Sequence, residues 1–173
     1  MRAATPDDVG AMAEVELHTA LTAYAPIFPP DAPVPTLQEF TDRWHARLAR
    51  QADGVGVFVA CAGPDEADAP GGPLLGLVMA DPDPAVDPDP EHHGHLRALY
   101  VHPDHWGEGI GHRLHDRAME HLRAHRPRLG TVSLWVMERN PSRAIYERWG
   151  WKLTTDRQEI WPGVDELRYE RPL

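Results

Sequence analysis

The feature that most constrains the fold is an apolar run followed by closely spaced glycines and then by an amphipathic segment. The apolar run covers residues 96–101, and the amphipathic segment extends over residues 110–122. Between them lie Gly107, Gly109 and Gly111. Pro103 ends the apolar run, because proline has no N–H to donate to a neighbouring strand. The pattern predicts a strand, a glycine loop and a helix in direct succession.

The glycine loop is expected to bind a phosphate or a pyrophosphate. Glycines leave backbone N–H groups accessible, and the positive end of the following helix attracts an anion. Two familiar phosphate loops do not fit. A dinucleotide-binding fingerprint needs a glycine where His112 stands, and a Walker loop needs Gly-Lys-Ser or Gly-Lys-Thr, which the sequence lacks.

A second segment also reads as a strand followed by a helix. Residues 131–137 alternate with the period of a strand, and Asn140 is placed to cap a short helix with Pro141 in its first turn. That helix carries Tyr146, Glu147 and Arg148, and Gly150 and Trp151 follow it.

These two segments resemble motifs A and B of the GCN5-related N-acetyltransferase (GNAT) family. Motif A is Gln or Arg, two residues, Gly, one residue, then Gly or Ala; Gly109 and Gly111 match it, and Trp106 stands in the Gln or Arg position. Motif B carries Tyr-Glu-Lys/Arg, then Gly and an aromatic residue, as residues 146–151 do. The resemblance implies an α/β fold, with residues 1–173 as a single domain. Its mixed, mostly antiparallel sheet would have about six or seven strands, flanked by helices and splayed at the acetyl-CoA site.

The rest of the chain is compatible with that fold. Thr5 is expected to cap a first helix, and Thr36 and Glu39 form a capping box for a second helix that ends at residues 53–54. Strands are predicted at residues 55–61 and 74–80, and a proline-rich loop at residues 21–35 is predicted between the two helices.

By the resemblance, the chain transfers an acetyl group from acetyl-CoA to a primary amine, by direct attack through a tetrahedral intermediate. Asn140 would contact the pantetheine arm, and Tyr146 would bind the cofactor and protonate the leaving thiolate. The backbone of Leu99, Tyr100 and Val101 would pair with pantetheine and supply the oxyanion donor. The pyrophosphate would be held by Trp106, Gly107, Glu108, Gly109, Ile110 and Gly111.

The general base is the least determined part of the site. Family members often carry a Glu before the central strand's apolar run, and His95 stands at that position here. A neutral histidine can accept a proton near neutral pH, so His95 is the predicted base, while Glu91 and ordered water remain open. Trp135 occupies another position where some relatives place a base, and it is predicted to be a pocket wall.

Charge and composition limit the partners. The net charge of −10 argues against nucleic-acid binding and suits a cationic acceptor. The acidic, proline-rich residues 81–91 form either a solvated loop or one that overhangs the acceptor pocket. The histidines at 92, 93, 95, 102, 105, 121 and 125 are spread over several segments, so no metal site is expected.

The sequence also indicates where the protein is located and what it acts on. No apolar stretch is long enough for a membrane span, and acidic residues near the start argue against a signal peptide, so a cytoplasmic protein is predicted. A small-molecule amine is the favoured acceptor, and a homodimer is an open possibility. The alternatives are a non-catalytic acyl-CoA-binding or sensing domain, and an acetyltransferase acting on protein N-termini or lysines.

Overall fold

The structure, a computed structural model, describes residues 1–49, 54–63, 73–81 and 91–173. Most of the acidic segment at 81–91 and the predicted end of the second helix lie outside the described residues. The strands are β1 (Arg2–Ala3), β2 (Gly56–Cys61), β3 (Leu74–Asp81), β4 (His93–Val101), β5 (Thr131–Met137), β6 (Lys152–Trp161) and β7 (Val164–Pro172). The helices are α1 (Val9–Thr19), α2 (Leu37–Leu48), α3 (Ile110–His125) and α4 (Arg143–Arg148).

The strands form one seven-stranded sheet in the order β1-β2-β3-β4-β5-β7-β6. Every neighbouring pair is antiparallel except β4 and β5, which run parallel. The predicted α/β fold with a mixed, mostly antiparallel sheet is therefore confirmed.

The junction between β4 and β5 is paired at one end only. The register joins His93–His95 to Thr131–Ser133 and goes no further, although both strands continue. Beyond Ser133 the two strands diverge. The sheet therefore opens next to the carboxyl end of β4, where the glycine loop begins.

Each face of the sheet has its own apolar core. On one face α3 buries the stripe Ile110, Leu114, Ala118 and Leu122, as its spacing of four residues predicts. On the other face α1 and α2 pack through residues such as Met12 and Trp44, both fully buried. These two layers fix the sheet between them and leave the open end of the β4–β5 junction accessible.

Short polar motifs start the helices where the sequence predicts. Thr36 and Glu39 form the expected capping box, in which the Thr36 N–H donates to Glu39 Oε2 at 2.7 Å. Thr5 and Asp8 make a similar arrangement at the first helical turn, Pro6–Asp8, and Arg2 donates to both carboxylate oxygens of the buried Asp8 at 2.7 Å.

Three local expectations need correction. The chain does not enter a loop at Leu21, because α1 continues through a π-helical turn at Ala20–Tyr24. Helix α4 begins at Arg143, and Asn140 acts before it by accepting a hydrogen bond from the Ser142 N–H at 2.9 Å. The central strand is longer than its apolar run and begins at His93.

Candidate active site

The open end of the β4–β5 junction holds a cavity of about 640 Å³, a size typical of small-molecule sites. Its walls come from both strands, the glycine loop, α4 and the π-helical turn. The cavity thus passes through the sheet and connects the side covered by α3 with the side covered by α1 and α2.

The glycine loop presents free donors to this cavity. Within the described residues, none of the backbone N–H groups of residues 107–112 donates a hydrogen bond; the Arg113 N–H is the first to do so, to Gly109 O. Gly107 and Gly109 have φ values of +86° and +76°, which a residue with a Cβ rarely adopts. These two conformations turn the chain so that its donors gather at the start of α3.

Trp106 fixes the loop to the strand before it. Its indole N–H donates to the carbonyl of Val101 at 2.7 Å, and the Thr19 hydroxyl donates to the same oxygen at 3.2 Å. The next N–H, that of His102, donates to Leu75 O on β3. The exit from β4 is therefore held by α1, β3 and the indole ring together.

Tyr146 lies on α4 at the edge of the gap. Its ring makes edge-on contacts with Trp149 and Trp151, at centroid distances of 5.9 Å and 6.2 Å. Burial raises the pKa of Tyr146 to about 12, so its hydroxyl stays protonated through neutral pH. A neutral phenol in this place can donate a proton to a basic leaving group.

Helix α4 is short, and a polar link to β7 holds it in place. Arg143 Nε donates to the Tyr169 hydroxyl at 2.9 Å, and that hydroxyl donates to Glu147 Oε1 at 2.9 Å. Asn140, which is buried, ties the preceding loop to the start of the helix. The position of Tyr146 thus depends on contacts from both sides of the helix.

The structure brings most of the sequence-predicted site residues together. The cavity is lined by Leu99, Tyr100, Val101, Trp106, Gly107, Gly109, Ile110, Gly111, Asn140 and Tyr146. Glu108 is not among the lining residues; it is exposed, with Oε1 3.2 Å from His105 Nδ1. Trp135, predicted as a pocket wall, does line the cavity.

The predicted base, His95, lies elsewhere. Its side chain is buried at the closed end of the junction, where Nδ1 is 3.1 Å from Ser133 Oγ, and it is not part of the cavity wall. Glu91 is exposed and pairs with Arg128 at 3.6 Å. Neither residue is among those that line the cavity.

The face of the cavity away from α3 carries three titratable side chains, of which the sequence predicted only Tyr100, and that for its backbone. Tyr24 comes from the π-helical turn, Tyr100 from β4 and Glu166 from β7. Burial raises the pKa of both tyrosines, and burial also raises the pKa of the Glu166 carboxyl, against a hydrogen bond from Gln158 Nε2 at 3.1 Å. The alternation of Leu167 and Tyr169 is a sequence signal for β7, but it does not show which strand β7 pairs with.

The described residues contain neither a candidate metal site nor a candidate membrane span. In those ranges, no group of three or more histidine, cysteine, aspartate or glutamate side chains is arranged to hold a metal ion. No helix in the described part of the chain combines the length and apolar character required to cross a bilayer.

Comparison with known proteins gives consistent matches. The model of the acetyltransferase (GNAT) family matches residues 17–151. No curated protein matches the chain. Ribosomal-protein-alanine N-acetyltransferase from Brucella melitensis has a similar structure, with a TM-score of 0.72 and 20% sequence identity over 99% of this chain and 98% of that one.

Two similar structures were determined with coenzyme A or its acetyl form. PaiA N-acetyltransferase from Thermoplasma acidophilum, in complex with coenzyme A, has a TM-score of 0.70 at 16% identity and covers 99% of this chain and 97% of its own. YncA from Salmonella typhimurium, with its cofactor acetyl-CoA, has a TM-score of 0.68 at 18% identity. The match covers 99% of this chain and 91% of YncA. At these identities the structural likeness establishes the fold.

Proposed function

The chain belongs to the acetyltransferase (GNAT) family, and from this premise we propose that it transfers the acetyl group of acetyl-CoA to the primary amine of a small molecule. The observation that carries the proposal is the opening between β4 and β5, with the unpaired N–H groups of residues 107–112 at one end. The amine attacks the thioester directly, through a tetrahedral intermediate.

The glycine loop fits the pyrophosphate of coenzyme A. Backbone donors at a helix N-terminus attract a negative charge, and here they have no partner in the described chain. Trp106 contributes through its bond to Val101 O, which holds the loop in place, and Gly107, Gly109, Ile110 and Gly111 line the site. For Glu108 the proposed contact is through its backbone N–H, because the residue is not among those that line the cavity.

The unpaired edge of β4 fits the extended pantetheine arm. Leu99, Tyr100 and Val101 lie past the point where β5 leaves the strand, so their free backbone groups on that side can pair with an amide chain as a neighbouring strand would. The Val101 carbonyl is not among them, because it accepts from Trp106 and Thr19. Asn140 lies across the gap. A backbone N–H in the same stretch of β4 would stabilise the oxyanion that forms when the carbonyl becomes tetrahedral.

Tyr146 acts as the general acid. The C–S bond breaks as the tetrahedral intermediate collapses, and the phenol proton passes to the leaving sulfur. Because burial holds the pKa of Tyr146 near 12, the proton is present throughout the physiological range.

The proposal is tested by thiol release from acetyl-CoA against a panel of amines. The panel contains polyamines, amino acids, aminoglycosides and short peptides with free N-termini or lysines. Release with a small amine supports the proposal, and release with peptides alone redirects it to protein acetylation. Saturable acetyl-CoA binding without release under any amine supports a sensing domain and contradicts the enzyme.

Cytoplasmic location, a homodimer and the extent of the domain over residues 1–173 stay as predictions from the sequence.

A further inference from the structure

We propose that Glu166 is the general base that removes the proton from the acceptor's ammonium group. The inference rests on the proposed acetyl transfer and assigns the step for which the sequence offered His95, Glu91 or water.

The register of β7 places Glu166 on the acceptor side of the gap. Glu166 pairs directly with Met137 at the end of β5, and residues directly opposite one another share a face of the sheet. Trp135, two positions earlier on β5, points to that same face, whereas Leu134 and Val136 point into the core under α3. The carboxylate thus lies across the gap from the cofactor side.

The π-helical turn after α1 contributes Tyr24 to the same cavity that Glu166 lines. Burial raises the pKa of Tyr24, and the nearby negative charges, that of Glu166 among them, raise it further. Arg139, at the end of β5, donates to the carbonyl of Ile27 and fastens the segment that follows the π-helical turn. An amine entering here meets aromatic walls and one carboxylate, which is a favourable setting for a cation.

Glu166 is the single carboxylate among the described residues that line the cavity. Glu16, another buried carboxylate, already accepts hydrogen bonds from Trp44 Nε1 at 2.7 Å and from Arg43 at 3.3 Å. Glu138 and Asp165, at the rim, both pair with Arg157. The remaining titratable or charged groups on the cavity wall are Tyr24, Tyr100, Tyr146, Arg97, Arg148, His105 and His112.

The environment suits the task. Burial raises the pKa of the Glu166 carboxyl, which makes its ionised form a stronger base than an exposed glutamate. The hydrogen bond from Gln158 works in the opposite direction and keeps the carboxylate oriented.

The step balances in atoms and electrons. An ammonium N–H bond breaks and its proton passes to a Glu166 oxygen, which frees the nitrogen lone pair. The lone pair forms the C–N bond to the thioester carbon, the C–S bond breaks, and the Tyr146 proton passes to sulfur. The nitrogen of the tetrahedral intermediate still carries one surplus proton, which leaves as the carbonyl re-forms and returns, through solvent, to the Tyr146 phenolate. Glu166 releases its proton to solvent, so the products are the neutral amide, the coenzyme A thiol and one free proton.

The test is the pH dependence of kcat/KM in Glu166→Gln, measured with amines of different intrinsic pKa. In the wild type, kcat/KM falls at low pH as the enzyme carboxylate becomes protonated. The midpoint of this fall, the acidic limb of the profile, is therefore the same for every amine. In Glu166→Gln the limb follows the pKa of each amine, and kcat at neutral pH falls by about 10²- to 10⁴-fold, the usual contribution of a general base. Glu166→Asp restores part of the rate and the amine-independent limb.

Glu170→Gln is the matched control, because it makes the same change on the same strand outside the cavity wall. Coenzyme A affinity and thermal unfolding show that each variant is folded. If the acidic limb of the kcat/KM profile is unchanged in Glu166→Gln, or if only KM rises, Glu166 is not the general base. Either result leaves the proposed acetyl transfer intact. Absence of thiol release from the wild type overturns both proposals together.

Discussion

At the scale of single residues, burial decides which protonation state each side chain brings to the reaction. Tyr146 and Glu166 line one cavity, and burial raises the pKa of both groups. For the phenol this secures a proton to give, and for the carboxylate it increases the affinity for a proton to be taken. The same physical effect thus prepares one acid and one base on opposite sides of the gap.

We predict that Tyr146→Phe lowers kcat by roughly 10²-fold or more, the usual contribution of a proton donor, with little change in coenzyme A affinity. The substitution keeps the ring and its contacts with Trp149 and Trp151 and removes the hydroxyl. Steady-state kinetics and calorimetric binding measure the two effects. An unchanged kcat would remove Tyr146 from the role of acid.

We predict that His95→Gln leaves the pH profile of kcat/KM unchanged. Glutamine can keep a hydrogen bond to Ser133 but cannot act as a base near neutral pH, and the side chain at this position lies outside the cavity wall. The profile is measured with the amine that gives the fastest thiol release. Loss of the acidic limb in this variant would reinstate His95 as the base and contradict the role of Glu166.

The residues that the sequence located and those it missed differ in how they reach the site. Gly109, Trp106 and Tyr146 belong to local motifs, in which backbone conformation and spacing within a few residues carry the information. Glu166 reaches the cavity through the pairing of β7 with β5, a relation between distant segments that no local period encodes. His95 differs in another way: it stands at a motif position, but its side chain is buried beside Ser133 and is not among the residues that line the cavity.

At the scale of elements, the same contrast holds. Helix α3 was predictable because its apolar residues recur every four positions, and β5 because its residues alternate. Strand β6 is an edge strand and is exposed along almost its whole length, so it has no alternation to detect. The prolines that follow residue 24 predict a loop from residue 21, whereas the structure continues the helix through the π-helical turn Ala20–Tyr24.

The glycine loop depends on an anchor as well as on its glycines. We predict that Trp106→Phe weakens coenzyme A binding about fivefold, the effect of losing one hydrogen bond of about 1 kcal/mol. Phenylalanine keeps an aromatic ring in the cavity wall but cannot donate to Val101 O. The dissociation constant is measured by calorimetry.

Trp161→Phe is the control for this prediction, because that indole is partly exposed on β6, away from the cavity. It should leave coenzyme A affinity unchanged. Equal affinity of wild type and Trp106→Phe would show that the loop holds its conformation without the indole N–H.

At the scale of the whole molecule, one buried histidine joins elements from the middle and the end of the chain. His115 on α3 accepts a hydrogen bond at Nε2 from the Trp151 indole at 3.2 Å, and Nδ1 lies 3.1 Å from Asp116 Oδ1. Arg171 on β7 approaches Nε2 at 3.4 Å. Protonation of Nε2 would turn the acceptor into a donor facing an indole N–H and a guanidinium group.

Desolvation lowers the pKa of His115, and the nearby Arg171 charge lowers it further. In the unfolded chain its pKa is about 6.5, so the unfolded state binds the proton more readily. The stability that neutral His115 contributes is fully present above that value and is lost as pH falls through the folded pKa. We therefore predict that the free energy of unfolding decreases as the pH falls from 7 to 5. The full loss due to His115 is about 1.4 kcal/mol for each pH unit of difference between its pKa in the folded and unfolded states.

His115→Gln should flatten this decrease, because glutamine can accept the Trp151 hydrogen bond without titrating. His45→Gln, on the exposed part of α2, should retain the wild-type slope. Urea unfolding between pH 8 and pH 5 measures all three proteins. His121, whose pKa burial also lowers, adds a slope of the same sign that remains in His115→Gln. Parallel curves for wild type and His115→Gln would show that α3, β6 and β7 tolerate a charge at their common contact.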